Sequence, residues 1–333
     1  MGKVWPIVSA AISAMLLTGS VVGARPAPVR IGVAMKGLDN PFFVAMYEGV
    51  RAEARRRGAR LSVRAARSEG DLNGQAAGLR ALVASKKACY VVNPISGTNL
   101  IAPLRGVKRP IVNIDSPVDP AAAKRKGVQI RTFIGTDDFA AGRLAGAKMV
   151  SLLQQGGTVA LFNGTASSVN SRHRLNGFIR GIRGTRVRVV ARLNADYLRT
   201  TAEVAAERVL QRHPRLSGFF AANDLMALGI ADAVRAAGKS TNVEIIGVDG
   251  IAEALDAVRS GSIAATVSQY PYVMGKMAIE ACVAAVRGAR LPAKVDSPVA
   301  LVTKSNVARA STTFPRPFRG YSDPFERLLH RRP

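Results

Sequence analysis

Short β-rich runs alternate with amphipathic helical stretches from Val29 onward, and this alternation restricts the possible folds more than any other feature of the chain. The β-rich runs cover residues 30–35, 60–66, 89–93, 111–115, 159–163, 187–193, 218–223, 245–249 and 263–269. The stretches between them repeat apolar residues at a spacing near 3.6, which is typical of helices packed on one face. Alternating strands and helices of this length predict parallel sheets covered by helices on both faces.

The length of the chain predicts more than one domain. A single hydrophobic core rarely grows beyond about 250–300 residues, and this chain has 333. Hydrophobic residues make up 48% of it and charged residues 21%, which is ordinary for a globular protein. We therefore expect an α/β protein of two doubly wound, parallel-sheet lobes, and not a disordered or fibrous chain.

The first 24 residues differ from the rest. Lys3 is followed by an apolar, small-residue run over residues 4–24, which ends in Val22-Gly23-Ala24. This pattern is typical of a secretory signal peptide with a small-x-small cleavage site. An uncleaved anchor is the alternative, and the absence of a nearby cysteine argues against a lipid anchor. The sequence thus predicts residues 1–24 as a cleaved signal peptide and a periplasmic mature protein.

The chain is strongly basic, with a formal net charge of +26. Such a balance usually favours nucleic-acid or membrane-surface binding. Here the basic residues are dispersed, no long block of them carries interleaved aromatics, and aromatics are only 5% of the chain. A solvated basic surface is therefore the favoured interpretation, and nucleic acid is not an expected partner.

Two cysteines, Cys89 and Cys282, lie in apolar segments far apart in the sequence. Two buried thiols and one disulfide both remain open, because sequence spacing cannot show whether the two residues meet. Their spacing matches no metal or redox motif.

Polar side chains recur where the predicted strands end. In parallel α/β sheets, ligands bind at the carboxyl ends of the strands, so these residues are the candidate site. Carboxylates and amides pair with sugar hydroxyls, basic groups donate to their oxygens, and aromatic rings cover the C–H faces. The set that supplies this chemistry is Lys36, Asn40, Phe42, Phe43, Asp115, Arg172, Tyr197, Asn223, Asp249 and Gln269. It predicts a site for a small sugar or polyol.

Neighbouring residues have simpler interpretations. Asp224 is expected to cap the helix that follows it, and the Asp137–Asp138 pair is expected to cap a helix where the chain changes domain. For Arg172 the alternative is Arg174, two residues further along.

Catalytic and cofactor motifs are missing from the sequence. It contains no G-x-G-x-x-G, no Walker loop and no G-x-S-x-G elbow, and the three histidines have no metal-ligand spacing. We therefore expect a binding protein without enzymatic activity, cofactor or metal.

Several segments also carry a family resemblance. They are LDNPFFVAMYEGVRAEA from residue 38, VVNPISGTNL from 91, IVNIDSPVD from 111, FIGTDDFAAG from 133, FFAANDLMALG from 219, IIGVDG from 245 and ATVSQYP from 265. Together they resemble the pentose- and hexose-binding periplasmic proteins that serve ABC transporters, over Val29 to Asn306. The resemblance implies the type I periplasmic binding protein fold, in which two lobes joined by three hinge crossings close on the ligand.

The same resemblance implies the domain organisation. The N-terminal lobe would comprise residues 29–136 plus 270–296, and the C-terminal lobe 137–269 plus 297–309. Residues 310–333 have no counterpart and, being rich in Pro, Arg and Ser, are expected to form a flexible tail. The implied partner is an inner-membrane ABC permease, and the implied state is a monomer.

Two positions depart from the ribose-binding pattern. Lys36 stands where ribose binders carry a small hydroxyl residue and allose binders a lysine, and Ser116 replaces an arginine that grips ribose. Ribose itself is therefore not the expected ligand, whereas a hexose, another pentose or a linear polyol remains open. Two other functions remain as alternatives: a sensor subunit for a chemoreceptor or histidine kinase, and a LacI-type regulator, which would require an N-terminal helix-turn-helix.

Overall fold

The computed structural model describes residues 1–2 and 27–330. The predicted signal peptide lies almost entirely outside the described residues. Two six-stranded sheets, each covered by helices, form two lobes, as the alternation of strands and helices predicts.

The N-terminal lobe is built on a sheet in which all neighbouring strands are parallel. Its elements are β1 (Arg30–Met35), α1 (Pro41–Arg56), β2 (Arg60–Ala65), α2 (Leu72–Ala84), β3 (Cys89–Val92), α3 (Ile101–Leu104), β4 (Ile111–Ile114), α4 (Pro120–Arg125), β5 (Thr132–Gly135), α10 (Pro271–Val286) and β11 (Lys294–Asp296). The strand order is β11-β5-β4-β3-β1-β2.

The C-terminal lobe repeats the pattern with one change, because its last strand runs antiparallel to its neighbour. Its elements are α5 (Asp138–Leu152), β6 (Gly157–Asn163), α6 (Val169–Ile182), β7 (Val187–Asn194), α7 (Arg199–Arg212), β8 (Gly218–Ala221), α8 (Asp224–Ala236), β9 (Glu244–Asp249), α9 (Ala252–Ser260), β10 (Ala265–Ser268), β12 (Ala300–Thr303) and α11 (Val307–Thr313). The strand order is β12-β10-β9-β8-β6-β7.

The chain passes between the lobes after β5, after β10 and after β11, so each lobe is discontinuous in sequence. Ser297 links two of these passages. Its backbone N–H donates to Gly135 O at 2.7 Å, and its hydroxyl donates to Gln269 O at 2.9 Å. The passages are thereby held side by side, which makes them a common hinge.

The C-terminal segment differs from the flexible tail that its composition predicts. α11 packs on α9 in the C-terminal lobe, and a last helix, α12 (Pro324–His330), packs on α10 in the N-terminal lobe. Phe318 and Phe325 are buried, and Asp323 pairs with Lys276 at 2.6 Å. The buried rings and the ion pair hold the segment against both lobes. Between α11 and α12 the chain therefore passes from one lobe to the other a fourth time.

Cys89 and Cys282 form a disulfide, which joins β3 to α10 with a Cα–Cα distance of 5.7 Å. Of the two alternatives that the sequence left open, two buried thiols or one disulfide, the structure has the disulfide. Within the described part of the chain, no helix combines the length and apolar character needed to cross a bilayer.

Candidate ligand-binding cleft

The carboxyl ends of the two sheets meet across a cleft between the lobes. Its walls are formed by Lys36, Asn40, Phe42, Phe43, Glu69, Asp115 and Ser116 from one lobe, and by Asn170, Arg174, Tyr197, Asn223 and Asp249 from the other. The space left between the walls is small, about 30 Å³, and Asn170 Nδ2 of one lobe donates to Asp115 O of the other at 3.2 Å. The lobes therefore touch at the cleft, and they must move apart to make room for a sugar.

With Ser116 added to the ten residues predicted above, the sequence names eleven site positions, and nine of them line this cleft. Gln269 lies directly behind its wall, where it binds Asp249 and Arg174. Arg172 does not reach the cleft. Glu69, Asn170 and Arg174 are additional lining residues.

Lys36 anchors the N-terminal wall. Its Nζ donates to Asp115 Oδ2 at 3.0 Å and to Ser116 Oγ at 2.7 Å, and lies 5.0 Å from the centre of the Phe43 ring. Burial lowers the pKa of Lys36, but the carboxylates of Asp115 and Glu69 outweigh it and raise the pKa above its usual value. The lysine is therefore a fixed positive charge in the cleft.

Asn40 and Glu69 form a second polar pair in the same wall. The Asn40 Oδ1 caps α1 by accepting from Phe42 N at 3.0 Å, which leaves its Nδ2 to donate to Glu69 Oε1 at 2.9 Å. Burial raises the pKa of Glu69, and Lys36 partly offsets this. Glu69 follows β2, so its position after a strand was a signal that could have identified it.

Arg174 organises the opposite wall. Its guanidinium donates to Asp138 Oδ1 at 2.7 Å, to Ala222 O at 2.6 Å and to Gln269 Oε1 at 2.9 Å, and lies 3.5 Å from Asp249 Oδ1. Burial raises the pKa of Asp249 well above its usual value, and Arg174 works against that shift. Arg174 thus links Asp138, at the start of α5, to the carbonyl that follows β8 and to the buried pair of Asp249 and Gln269.

The structure places Arg174 in the cleft and not Arg172, the residue that the sequence favoured. Arg172 is exposed and its guanidinium donates to Ala166 O at 3.2 Å, within the loop before α6. Two residues along a helix differ by about 200° in direction, so only one of the pair can face the cleft. α6 presents Arg174, because Gly142 of α5 lies against the Arg174 backbone: a Cβ on Gly142 would come within 1.9 Å of Arg174 O.

Asp137 and Asp138 have separate roles. Asp137 caps α5 by accepting from Ala140 N at 2.9 Å, as its sequence position predicts. Asp138 instead faces inward and pairs with Arg174. Burial raises its pKa, while Arg174 partly offsets the effect.

The capping expected of Asp224 is made by Asn223, whose Oδ1 accepts from Met226 N at 3.0 Å. Asp224 is fully buried and accepts from Gly250 N at 2.7 Å, Ile251 N at 3.1 Å and Thr266 Oγ1 at 2.7 Å. It thereby fixes the turn that follows Asp249, while Asn223 lines the cleft.

Tyr197 is part of the C-terminal wall. Its hydroxyl lies 2.6 Å from Ser168 Oγ, and its ring covers Gly164 so closely that a Cβ there would approach Tyr197 Cζ to 2.2 Å. Burial raises the pKa of Tyr197 above its usual value. The phenol is therefore neutral and able to both donate and accept.

The cleft places carboxyl groups beside cations. Glu69, Asp115 and Asp249 line it together with Lys36 and Arg174, and Asp138 pairs with Arg174 behind the wall. Carboxylates accept hydroxyl protons and repel anions, and two phenylalanine rings offer apolar faces. This arrangement suits an uncharged molecule that carries several hydroxyls.

Comparison with known proteins agrees with this chemistry. Residues 31–290 match the family model of the periplasmic binding protein domain. The chain is similar to the D-allose-binding periplasmic protein of Escherichia coli, with 33% identity over 84% of this chain and 90% of the relative. It is also similar to the ribose import binding protein of Bacillus subtilis, with 29% identity over 82% and 87%.

Solved structures show the same fold. An ABC transporter periplasmic solute-binding protein from Actinobacillus succinogenes with bound D-allose superposes with a TM-score of 0.81, at 26% identity, over 84% of this chain and 99% of that one. An ABC transporter solute-binding protein from Mycobacterium smegmatis with bound glycerol superposes with a TM-score of 0.77, at 30% identity, over 89% and 98%.

Proposed function

This chain belongs to the periplasmic binding protein family, and from that premise we propose that it captures a neutral sugar between its lobes and delivers it to an ABC permease. The observation that carries the proposal is the cleft itself. It combines hydroxyl-accepting carboxylates, amide groups, two buried cations and aromatic rings, with no motif of a catalytic site. The protein acts by binding and release, without chemical conversion of the sugar.

A hexose of the allose type is the ligand that we favour. Lys36 fills the position between Phe43, Asp115 and Ser116 with a long cation, a residue that the resemblance to allose binders implies. The similarity to the D-allose-binding protein of Escherichia coli supports the same class. Sugar acids and sugar phosphates should bind poorly, because Lys36 and Arg174 are already paired with the carboxylates of Asp115 and Asp138.

The periplasm is the proposed location, reached through the signal peptide at residues 1–24. The Cys89–Cys282 disulfide supports this location, since such bonds persist in oxidising compartments. We propose that the protein works as a monomer, because the cleft is completed by residues of one chain.

A ligand panel tests the proposal. Thermal shift and calorimetry with D-allose, D-ribose, D-arabinose, glycerol and a sugar acid should show one neutral sugar bound with a Kd of about 1 μM or tighter. Native mass spectrometry of the freshly purified protein would identify a co-purified sugar by its mass. The proposal fails if no neutral sugar or polyol binds, or if the sugar acid binds most tightly.

A further inference from the structure

A basic concavity lies at the pole of the N-terminal lobe opposite the cleft. It has a volume of about 550 Å³ and is bordered by the start of β1, the α2–β3 loop and the α3–β4 loop. Six basic residues line it: Arg30, Lys86, Lys87, Arg105, Lys108 and Arg109. Val83, Val107 and Tyr90 supply an apolar floor.

The positive charge of this basic pocket is uncompensated. No carboxylate lines it, and none of the six basic residues takes part in the ion pairs of the described chain. By contrast, arginines elsewhere on the surface, such as Arg199 and Arg259, hold acidic partners at 2.5–2.8 Å. A concave wall of one sign of charge focuses the field and raises the local concentration of anions.

Topology brings these residues together. The strands of the sheet are parallel, so the residues at their amino ends lie along one edge of the sheet. Arg30 begins β1 and pairs in register with Arg60 of β2, while Lys87 and Arg109 stand just before β3 and β4. Charges that are dispersed along the sequence therefore form one patch, in place of the evenly solvated surface that the sequence favours.

We propose that this pocket binds the phosphate groups of a multivalent anion. The planar guanidinium groups of Arg30, Arg105 and Arg109 can each grip two oxygens of a phosphate, and the lysines add point charges around them. A volume of about 550 Å³ accommodates several phosphate groups at once. The phosphate belongs either to a free polyanion or to a lipid headgroup, and both offer the same chemistry to the pocket.

Binding of inorganic tripolyphosphate tests the pocket directly. The variant Arg105→Gln/Arg109→Gln removes two pocket charges, and Arg208→Gln/Arg212→Gln removes two charges from exposed positions on α7. The pocket variant should bind tripolyphosphate about tenfold more weakly than the wild type, whereas the α7 variant should stay within about twofold. Both variants should keep the unfolding midpoint and sugar affinity of the wild type, because their side chains lie outside the core and the cleft.

Vesicles identify the source of the phosphate. Co-sedimentation with vesicles containing about 30% phosphatidylglycerol, against pure phosphatidylcholine, measures attraction to lipid headgroups. Loss of vesicle binding in the pocket variant alone would assign the site to headgroups, and tripolyphosphate binding without vesicle binding would assign it to a free anion. Equal losses in both variants, or no binding by the wild type in either arm, would overturn the proposal.

Discussion

Asn170 of the C-terminal lobe donates a hydrogen bond of 3.2 Å from its Nδ2 to the backbone carbonyl of Asp115 in the N-terminal lobe. The bond spans the closed cleft, and both residues are buried. Asp115 is held there with a φ of +61°, directly after β4. The contact therefore belongs to the closed form, and it must break when the lobes separate.

Replacing Asn170 by alanine should weaken sugar binding. A net hydrogen bond contributes about 0.5–1.5 kcal/mol, which corresponds to roughly 2- to 12-fold in Kd. Calorimetry measures this loss, and small-angle scattering should show a larger radius of gyration without ligand. Asn194→Ala removes an exposed bond to Asn163 within one lobe and should change neither quantity. Equal effects of the two variants would contradict a role of Asn170 in closure.

Arg174→Gln and Arg172→Gln separate the buried arginine from its exposed neighbour. The first variant leaves the carboxylates of Asp138 and Asp249 buried without their cation, which should cost about 3–5 kcal/mol of stability. Sugar affinity should fall with it, since Asp249 loses the group that positions it. The free energy of unfolding of Arg172→Gln should stay within about 0.5 kcal/mol of the wild-type value. Urea unfolding and calorimetry measure both, and a large loss on changing Arg172 would refute the assignment.

Removing the disulfide should destabilise the protein. Cys89 and Cys282 are separated by 193 residues, and their link holds α10 on the N-terminal sheet. The Cys89→Ala/Cys282→Ala variant should unfold about 2–5 kcal/mol more easily, and its unfolding midpoint should not respond to a reductant that lowers that of the wild type. Free thiols detected in unfolded, unreduced wild-type protein would disprove the link.

The docked C-terminal helix should become less stable as the pH rises toward 8. Burial and the neighbouring Asp323 raise the pKa of Glu280 to about 8. Burial also acts to raise the pKa of Asp323, but hydrogen bonds with Glu280 and Lys276 outweigh it and lower that pKa. The two carboxyl groups therefore retain one proton in the folded state. The other groups around Glu280 are Glu53, Arg56, Arg57, Lys276, Tyr321 and Glu326.

The sign of the pH dependence follows from this retained proton. A folded pKa above the unfolded value makes the folded state bind more protons. The contribution of Glu280 to stability is therefore complete below about pH 4.5 and is lost as the pH rises through about 8. Glu280→Gln keeps a hydrogen-bond donor toward Asp323 without the ionisation, so its unfolding midpoint should fall less between pH 6 and pH 9 than that of the wild type. The exposed Glu207→Gln serves as the control and should follow the wild type. Parallel curves for all three proteins would contradict the assignment.

Much of the fold and of the site follows from the sequence alone. Hydrophobic periodicity identified the βα units, because burial on a sheet or helix face leaves a period in the sequence. Parallel strands collect their carboxyl ends at one edge, so strand-end residues such as Lys36, Asp115 and Asp249 could be predicted to meet without knowing their distances. Tyr197 and Asn223 were found by the same reasoning.

Only the tertiary structure decided which side chains face the cleft and which distant residues meet. The packing of α6 against Gly142 places Arg174 in the cleft and Arg172 on the surface. The sequence alone does not show which of these two arginines faces inward. The disulfide, the packing of α12 with its buried Phe325 on α10 and the basic pocket likewise join segments far apart in the chain. Their contacts depend on how whole elements pack, which local periodicity does not encode.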